Sequence, residues 1–133
     1  MARNSILVAD DDVALLQALA VRLRSEGFQI QLSQDPHKAL EMACQATPDL
    51  LILGIDTPAR DGISLPERLR SKRELHGTPV IFVTRKAPER MNAGAAQLGA
   101  FAIIHKPFDA ATLVAAVREA LGLAVRAAET RGV

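Results

Sequence analysis

The sequence predicts an α/β fold in which a doubly wound, five-stranded parallel sheet lies between helices in a three-layer α/β/α sandwich. The alternation of two kinds of segment leads to this prediction. Five short apolar runs alternate along the chain with longer stretches in which apolar residues recur at helical spacing. Strict alternation of strands and helices is typical of parallel sheets, because each return to a parallel neighbour needs a crossover, and right-handed crossovers place helices on both faces.

Apolar runs and turn residues define the elements of the first half of the chain. The run at 5–9 ends at three consecutive aspartates, and the helical pattern that follows stops at Gly27. Asp35 and Pro36 are a typical N-cap and first residue of a second helix. The unrelieved run at 50–53 predicts a central strand that is covered on both faces. The predicted elements are strand 5–9, helix 13–26, strand 28–32 with alternating apolar residues, helix 35–46 and strand 50–53.

Capping residues and glycines define the elements of the second half. Ser64 and Glu67 have the spacing of a capping box, which predicts a third helix. Asp109 stands where an N-cap is expected before the last amphipathic stretch. The remaining elements are a strand at 79–83, a weak helix at 88–98 that is diluted by Gly94 and closed by Gly99, a strand at 101–104 and the last helix.

The apolar spacing of the last helix continues past Leu121 through Leu123 and Val125, with Gly122 as an interruption. Continued spacing of this kind is typical of a connector or a dimer-forming helix. It is equally compatible with a frayed amphipathic tail. We therefore predict one domain over residues 1–122, followed at 123–133 by a helical extension or tail.

Composition excludes several classes of function. The chain has 133 residues, 49% of them hydrophobic, and its 16 basic and 15 acidic residues leave a net charge of +1. Direct nucleic-acid binding would need a basic excess and stacking aromatics, whereas this chain has four Phe, no Trp and no Tyr. One cysteine excludes an intrachain disulfide, and no apolar run approaches the ~18 residues of a membrane span. We predict a cytoplasmic domain that binds neither nucleic acid nor membrane.

Polar residues gather at the carboxyl ends of the predicted strands, where ligands bind in doubly wound sheets. Asp10 and Asp11 follow the first strand, Thr84 the fourth and Lys106 the fifth. Two adjacent acids favour a shared cation, which can be Mg²⁺ with its oxygen ligands or the ammonium of Lys106. A threonine hydroxyl there can donate a hydrogen bond to a phosphoryl oxygen. The alternative is that these are ordinary solvated loop residues.

Six stretches in this order and spacing resemble the receiver domain of bacterial two-component response regulators over residues 5 to about 122. They are Ile6-Leu7-Val8-Ala9-Asp10-Asp11-Asp12, Pro48-Asp49-Leu50-Leu51-Ile52-Leu53, Pro58-Ala59-Arg60-Asp61-Gly62, Thr78-Pro79-Val80-Ile81-Phe82-Val83-Thr84, Leu98-Gly99-Ala100 and Lys106-Pro107-Phe108. The resemblance implies a flavodoxin-like fold with strand order 2-1-3-4-5 and a cis Lys106–Pro107 peptide. In this family a histidine kinase transfers a phosphoryl group to an aspartate after the third strand. An acid pair after the first strand holds Mg²⁺, and a threonine and a lysine contact the phosphoryl oxygens. Carried over to this chain, these are Asp10 and Asp11, Thr84 and Lys106.

The chain departs from the family pattern at the phosphoacceptor. The family motif Leu-Asp-Ile-x-Met-Pro reads Leu53-Gly54-Ile55-Asp56-Thr57-Pro58 here, so the acceptor position is Gly54. Asp56 leaves an extended strand on the same side, about 6–7 Å further on, and is the alternative acceptor. The aromatic switch residue of the family is replaced by Ile103, and the residue after the threonine is Arg85. We therefore predict a pseudo-receiver without catalytic residues, which is not an enzyme.

One carboxylate ligand is missing, and the remaining acids are Asp10, Asp11 and Asp56. We therefore predict that these residues bind Mg²⁺ weakly or not at all, so that no cofactor is required. A Gly54→Asp substitution is expected to restore Mg²⁺ binding. Lys106 is expected to neutralise Asp10 or Asp11 instead. By resemblance, the protein partner is a sensor kinase or an output domain, bound through the helix at 88–98, the fifth strand and the last helix, with homodimerisation as a further option. The alternative function is a Mg²⁺-dependent phosphoryl acceptor that uses Asp56.

Overall fold

Five strands pair in parallel to form a single sheet in the computed structural model, which describes residues 3–87 and 94–124. The order β2-β1-β3-β4-β5 is the predicted one. All four pairs of neighbouring strands in this order are parallel. The strands are β1 (Ser5–Ala9), β2 (Gln29–Ser33), β3 (Leu50–Gly54), β4 (Val80–Thr84) and β5 (Ala102–His105).

Four helices lie within the described residues. They are α1 (Val13–Ser25), α2 (Pro36–Ala46), α3 (Leu65–Arg70) and α4 (Ala110–Ala120), and a short 3₁₀ turn, Arg73–Leu75, follows α3. Three of the helices begin at the predicted caps Asp35, Ser64 and Asp109, whereas the cap of α1, Asp12, was not predicted. The carboxylate of Asp35 accepts hydrogen bonds from two backbone amides in the first turn of α2. The capping box of α3 is complete, since Ser64 and Glu67 each bond the backbone of the other. Short polar side chains thus satisfy amide groups that have no partner inside the helix.

Phe28 was expected to open the second strand, but it lies in the turn that follows α1. Gly27 adopts a φ of 97°, and the Phe28 amide donates to the carbonyl of Leu23 at 3.2 Å. This left-handed glycine turn is a common way to end a helix. The strand consequently begins one residue later, where Gln29 pairs with Ser5.

Alternating side chains of the sheet fill two apolar layers. Ile6 and Val8 of β1 face α1 and α4, whereas Leu7 and Ala9 face α2 and α3. All residues of β3 and β4 are buried, as expected for central strands covered on both faces. The carboxyl ends of β1, β3 and β4 are therefore held side by side by a rigid core.

Two predicted segments extend outside the described residues. The helix expected at 88–98 includes 88–93, which are not described, and residues 95–99 form hydrogen-bonded turns rather than helix. At the other end, Gly122 adopts a φ of 71° and ends α4. The extension expected at 123–133 lies outside the described residues from 125 onward. No helix in the described part of the chain is long and apolar enough to cross a membrane.

Candidate functional site

The carboxyl ends of four neighbouring strands bring together most of the polar residues that the sequence singles out. Asp10 follows β1, Gly54 ends β3, Thr84 ends β4 and Lys106 follows β5. The cavity between them has a volume of about 10 Å³, enough for about one water molecule. Its lining comprises Asp10, Asp11, Pro36, Gly54, Asp56, Thr57, Arg85 and Lys106.

A buried ion pair closes this cavity. Nζ of Lys106 donates to Oδ2 of Asp10 at 2.8 Å, and the two side chains are 11% and 3% exposed. The other carboxylate oxygen of Asp10 accepts from the Asp12 amide at 2.9 Å. Both oxygens of Asp10 therefore have a partner, as a buried carboxylate requires. Of the two acids offered as counter-ions of Lys106, the structure selects Asp10.

The backbone around Lys106 directs its side chain into the site. The Lys106 amide donates to the carbonyl of Thr84 at 2.6 Å, which ties the residue to the end of β4. The Lys106–Pro107 peptide is cis, which confirms the expectation from the family resemblance. The ammonium group thus reaches Asp10 across the carboxyl edge of the sheet.

The carboxylate of Asp10 occupies the space in which a side chain at position 54 would begin. A Cβ atom built on Gly54 would lie 2.4 Å from Oδ2 of Asp10 and 2.8 Å from its Cγ. Cβ atoms essentially never approach other heavy atoms to less than 3.0 Å. A residue larger than glycine at position 54 is therefore incompatible with the observed position of Asp10.

Asp56 points away from Gly54 and towards the end of β4. Its Oδ1 accepts from the hydroxyl of Thr84 at 2.6 Å, and its Oδ2 accepts from the Arg85 amide at 2.8 Å. The same hydroxyl oxygen accepts from the Lys86 amide at 3.0 Å. Thr84 is buried, whereas Asp56 is exposed. The hydroxyl expected to meet a phosphoryl oxygen is thus already hydrogen-bonded to Asp56.

These hydrogen bonds lower the pKa of Asp56. Its partial burial acts to raise the pKa, but the Thr84 hydroxyl, the Arg85 amide and the charge of Lys106 together outweigh burial and lower the pKa below the ordinary aspartate value. Asp56 is consequently an ionised acceptor of hydrogen bonds over the neutral pH range.

The lowered pKa makes a prediction for stability against pH. A depressed carboxyl pKa stabilises the fold above the unfolded value of about 3.9, and this stabilisation is lost as pH falls through the folded pKa. Asp56→Ala should lower Tm by about 2–5 °C at pH 7, and the difference from the unmodified chain should shrink progressively as the pH falls below about 4. Thermal denaturation followed by circular dichroism checks this, with Glu119→Ala as an exposed control. A difference that stays constant across the pH range would contradict it.

The acids at the site do not fit a Mg²⁺ ion in this arrangement. Mg²⁺ takes six oxygen ligands in near-ideal octahedral geometry. Asp10 is bound to Lys106, Asp56 is bound to Thr84, and Asp11 is exposed. Within residues 3–87 and 94–124, no three His, Cys, Asp or Glu side chains converge as a ligand set.

Ile103 and Arg85, the two other departures from the family pattern, lie beside the site. Ile103 is half-buried and packs against the apolar layer that faces α2 and α3. It pairs with Phe82 across β4 and β5. The side chain of Arg85 is 61% exposed, and its guanidinium lies 3.8 Å from the Asp12 carboxylate. Arg85 therefore lies along the surface at the rim of the cavity.

A second polar network was missed by sequence reasoning. His37, in the first turn of α2, is buried, and its Nε2 lies 2.8 Å from the carbonyl of Pro58. Nε of Arg68 donates to Nδ1 of His37 at 3.0 Å. Because the Arg68 nitrogen can only donate, Nε2 of the histidine carries the proton and donates to Pro58. Arg60 in the same loop pairs with Asp35 at 2.8 Å. The network anchors the loop after β3, and no sequence motif marked it.

The sequence is similar to those of known proteins over most of its length. The family model for the response regulator receiver domain matches residues 6–118. The transcriptional regulatory protein CpxR of Escherichia coli (strain K12) is 36% identical over 118 residues, which are 89% of this chain and 49% of CpxR. CpxR of Shigella flexneri matches to the same extent. The chain thus spans about half the length of these curated relatives.

Solved structures of similar fold lead to the same group of proteins. A response regulator from Desulfuromonas acetoxidans superposes with a TM-score of 0.81 at 26% identity and covers 90% of this chain and 97% of its own. The receiver domain of a sensor histidine kinase from Pseudomonas aeruginosa PAO1 gives a TM-score of 0.78 at 25% identity, covering 91% and 99%. That receiver domain has a magnesium ion coordinated in its active site cleft.

Proposed function

Because this chain belongs to the receiver-domain family of response regulators, we propose that it is a signalling module that acts by binding other proteins, without phosphorylation of an aspartate. The observation that carries the proposal is Gly54 at the end of β3. Glycine has no side chain and therefore no carboxylate oxygen that could accept a phosphoryl group. The nearest carboxylate to that position, Asp10, is bound to Lys106.

Asp56 is the alternative acceptor, and its contacts argue against that role. Attack on a phosphoryl donor requires a free carboxylate oxygen in line with the leaving group, with the metal and the lysine close by. Both oxygens of Asp56 accept hydrogen bonds, from Thr84 and from the Arg85 amide. Lys106 is engaged by Asp10. Phosphorylation of Asp56 would have to break at least one of its two hydrogen bonds and separate Lys106 from Asp10.

The proposed binding surface consists of β5, α4 and the segment at 88–98. β5 is an edge strand of the sheet, so one side of its backbone is available for contact. Phe101, directly before β5, is 49% exposed, and exposed aromatic residues are common in protein interfaces. The proposed partner is a sensor kinase or an output domain, and a second copy of the chain is the other option.

The proposal includes no cofactor and no enzymatic activity. Mg²⁺ binding is expected to be weak, since Asp10 and Asp56 already have other partners. The chain is proposed to work in the cytoplasm, where a single half-buried cysteine, Cys44, is expected to stay reduced.

The proposal predicts that phosphoryl donors leave the protein unchanged. Addition of acetyl phosphate with Mg²⁺ should give no phosphorylated species by mass spectrometry, and beryllofluoride, which mimics a bound phosphoryl group, should not bind at the site. Neither reagent should shift the amide spectrum of β5 and α4, because a site that cannot be loaded cannot bias a conformational equilibrium. A receiver domain with an intact acceptor aspartate serves as the positive control. A phosphorylated species that is absent from Asp56→Asn would overturn the proposal in favour of Asp56 as acceptor.

A further inference from the structure

We infer that Asp10 is a positioning residue that replaces both the missing acceptor side chain and the metal, and holds Lys106 in one place. The inference deepens the proposed function, because it explains how the site stays closed without phosphorylation. According to this inference, position 54 must be glycine, because only glycine leaves room for the Asp10 carboxylate. Space, charge and hydrogen bonding support it separately.

The available space favours this role. The carboxylate of Asp10 lies in the space that the Cβ atom of any other residue at position 54 would need. A Cβ built there would be only 2.4 Å from Oδ2 of Asp10. The Cα of Asp10 is 3.5 Å from the same point, which is an ordinary contact distance. The conflict is therefore with the carboxylate group and not with the backbone, so that the two positions interact through one rotatable side chain.

The charge distribution favours the same role. A buried carboxylate without a counter-ion is strongly disfavoured, and Asp10 is 3% exposed with Lys106 at 2.8 Å. Its second oxygen is held by the Asp12 amide, and Asp12 itself caps α1 by accepting from the Leu15 amide. Asp10 is therefore fixed between Lys106 and the start of α1. Rotation away from Gly54 would break both contacts.

The inference adds a condition to the prediction that Gly54→Asp restores Mg²⁺ binding. Besides returning the missing ligand, the new side chain would have to displace the Asp10 carboxylate from Lys106. Positions 10 and 54 are therefore coupled, and a change at one must be read together with the state of the other.

A double-mutant cycle between Gly54→Ala and Asp10→Ala tests this coupling. Gly54→Ala alone should lower Tm by about 5–10 °C, because Asp10 must leave Lys106. In the Asp10→Ala background the same change should shift Tm by less than about 2 °C, since the conflicting carboxylate is gone. Gly77→Ala is the matched control, because a Cβ there meets nothing within 4 Å, and it should have a small effect in both backgrounds.

The side-chain ammonium of Lys106 provides a readout that a purely structural role would not move. In the unmodified protein its ¹⁵N–¹H resonance should be protected from exchange by the buried pair with Asp10. Gly54→Ala and Asp10→Ala should each abolish this protection, whereas Gly77→Ala should retain it. Gly54→Ala can be measured below its own Tm, so the test does not depend on the stability of the Asp10 variant.

Additive effects in the cycle, or a Lys106 resonance that is unchanged in Gly54→Ala, would overturn the inference. Neither measurement involves phosphoryl transfer or a binding partner. Coupling between the two positions together with phosphorylation of Asp56 would support the inference and overturn the proposed function. The absence of both coupling and phosphorylation would overturn the inference and support the proposed function.

Discussion

Lys106→Ala should lower Tm by about 10 °C, which corresponds to about 3 kcal/mol in the free energy of unfolding. The substitution leaves the carboxylate of Asp10 buried without its counter-ion. Removal of one partner of a buried pair costs far more than the pair contributes, because the remaining charge has lost its compensation. Thermal or urea denaturation at pH 7 measures the change.

Two further variants show whether the effect comes from the ion pair. Removal of both partners in Asp10→Ala/Lys106→Ala should recover a large part of the lost stability, since no buried charge remains. Lys72→Ala breaks a pair with Glu41 at the surface, where Glu41 is 62% exposed, and should change the free energy of unfolding by at most about 1 kcal/mol. Equal effects of Lys72→Ala and Lys106→Ala would contradict a buried pair at the site.

The fold could be predicted from the sequence because its signals are local and agree with one another. Four strands are short apolar runs and β2 shows an alternating pattern, and each described helix begins at an aspartate or serine that the structure shows as a cap, such as Asp35 for α2. The order of the strands is implied by the family resemblance. Errors occur at the boundaries, where a three-dimensional contact decides. Phe28 is apolar and extended in pattern, yet its amide completes the turn that ends α1.

The composition of the site could be predicted as well, because parallel strands end at the same edge of the sheet. Asp10 and Lys106 meet there as expected, and Thr84 is linked to Lys106 through the backbone and to Asp56 through its hydroxyl. Their pairing could not be predicted, because it depends on side-chain rotamers and on tenths of an ångström. The sequence left open whether Lys106 pairs with Asp10 or Asp11. It did not indicate that the Asp10 carboxylate would fill the space at Gly54.

The network around His37 shows a different limit. The sequence offers a histidine in the first turn of a helix and an arginine 31 residues later. Nothing in their spacing reports that Arg68 and Pro58 are brought to the same imidazole, because that contact depends on how α3 and its preceding loop pack against α2. Contacts between distant parts of the chain become visible only when the fold is known.

The second large effect concerns the strand that carries Gly54. Leu53→Ala should lower the free energy of unfolding by about 3 kcal/mol and Tm by about 10 °C. Leu53 is fully buried and lies between Ala9 of β1 and Phe82 of β4, so that its removal leaves a cavity which the two neighbouring strands cannot close. Val21→Ala is the control, because Val21 is 71% exposed on α1 and its change should stay within about 0.5 kcal/mol. Urea denaturation of both variants checks the prediction. Similar midpoints for the two variants would show that β3 does not form the centre of the core on which the site is built.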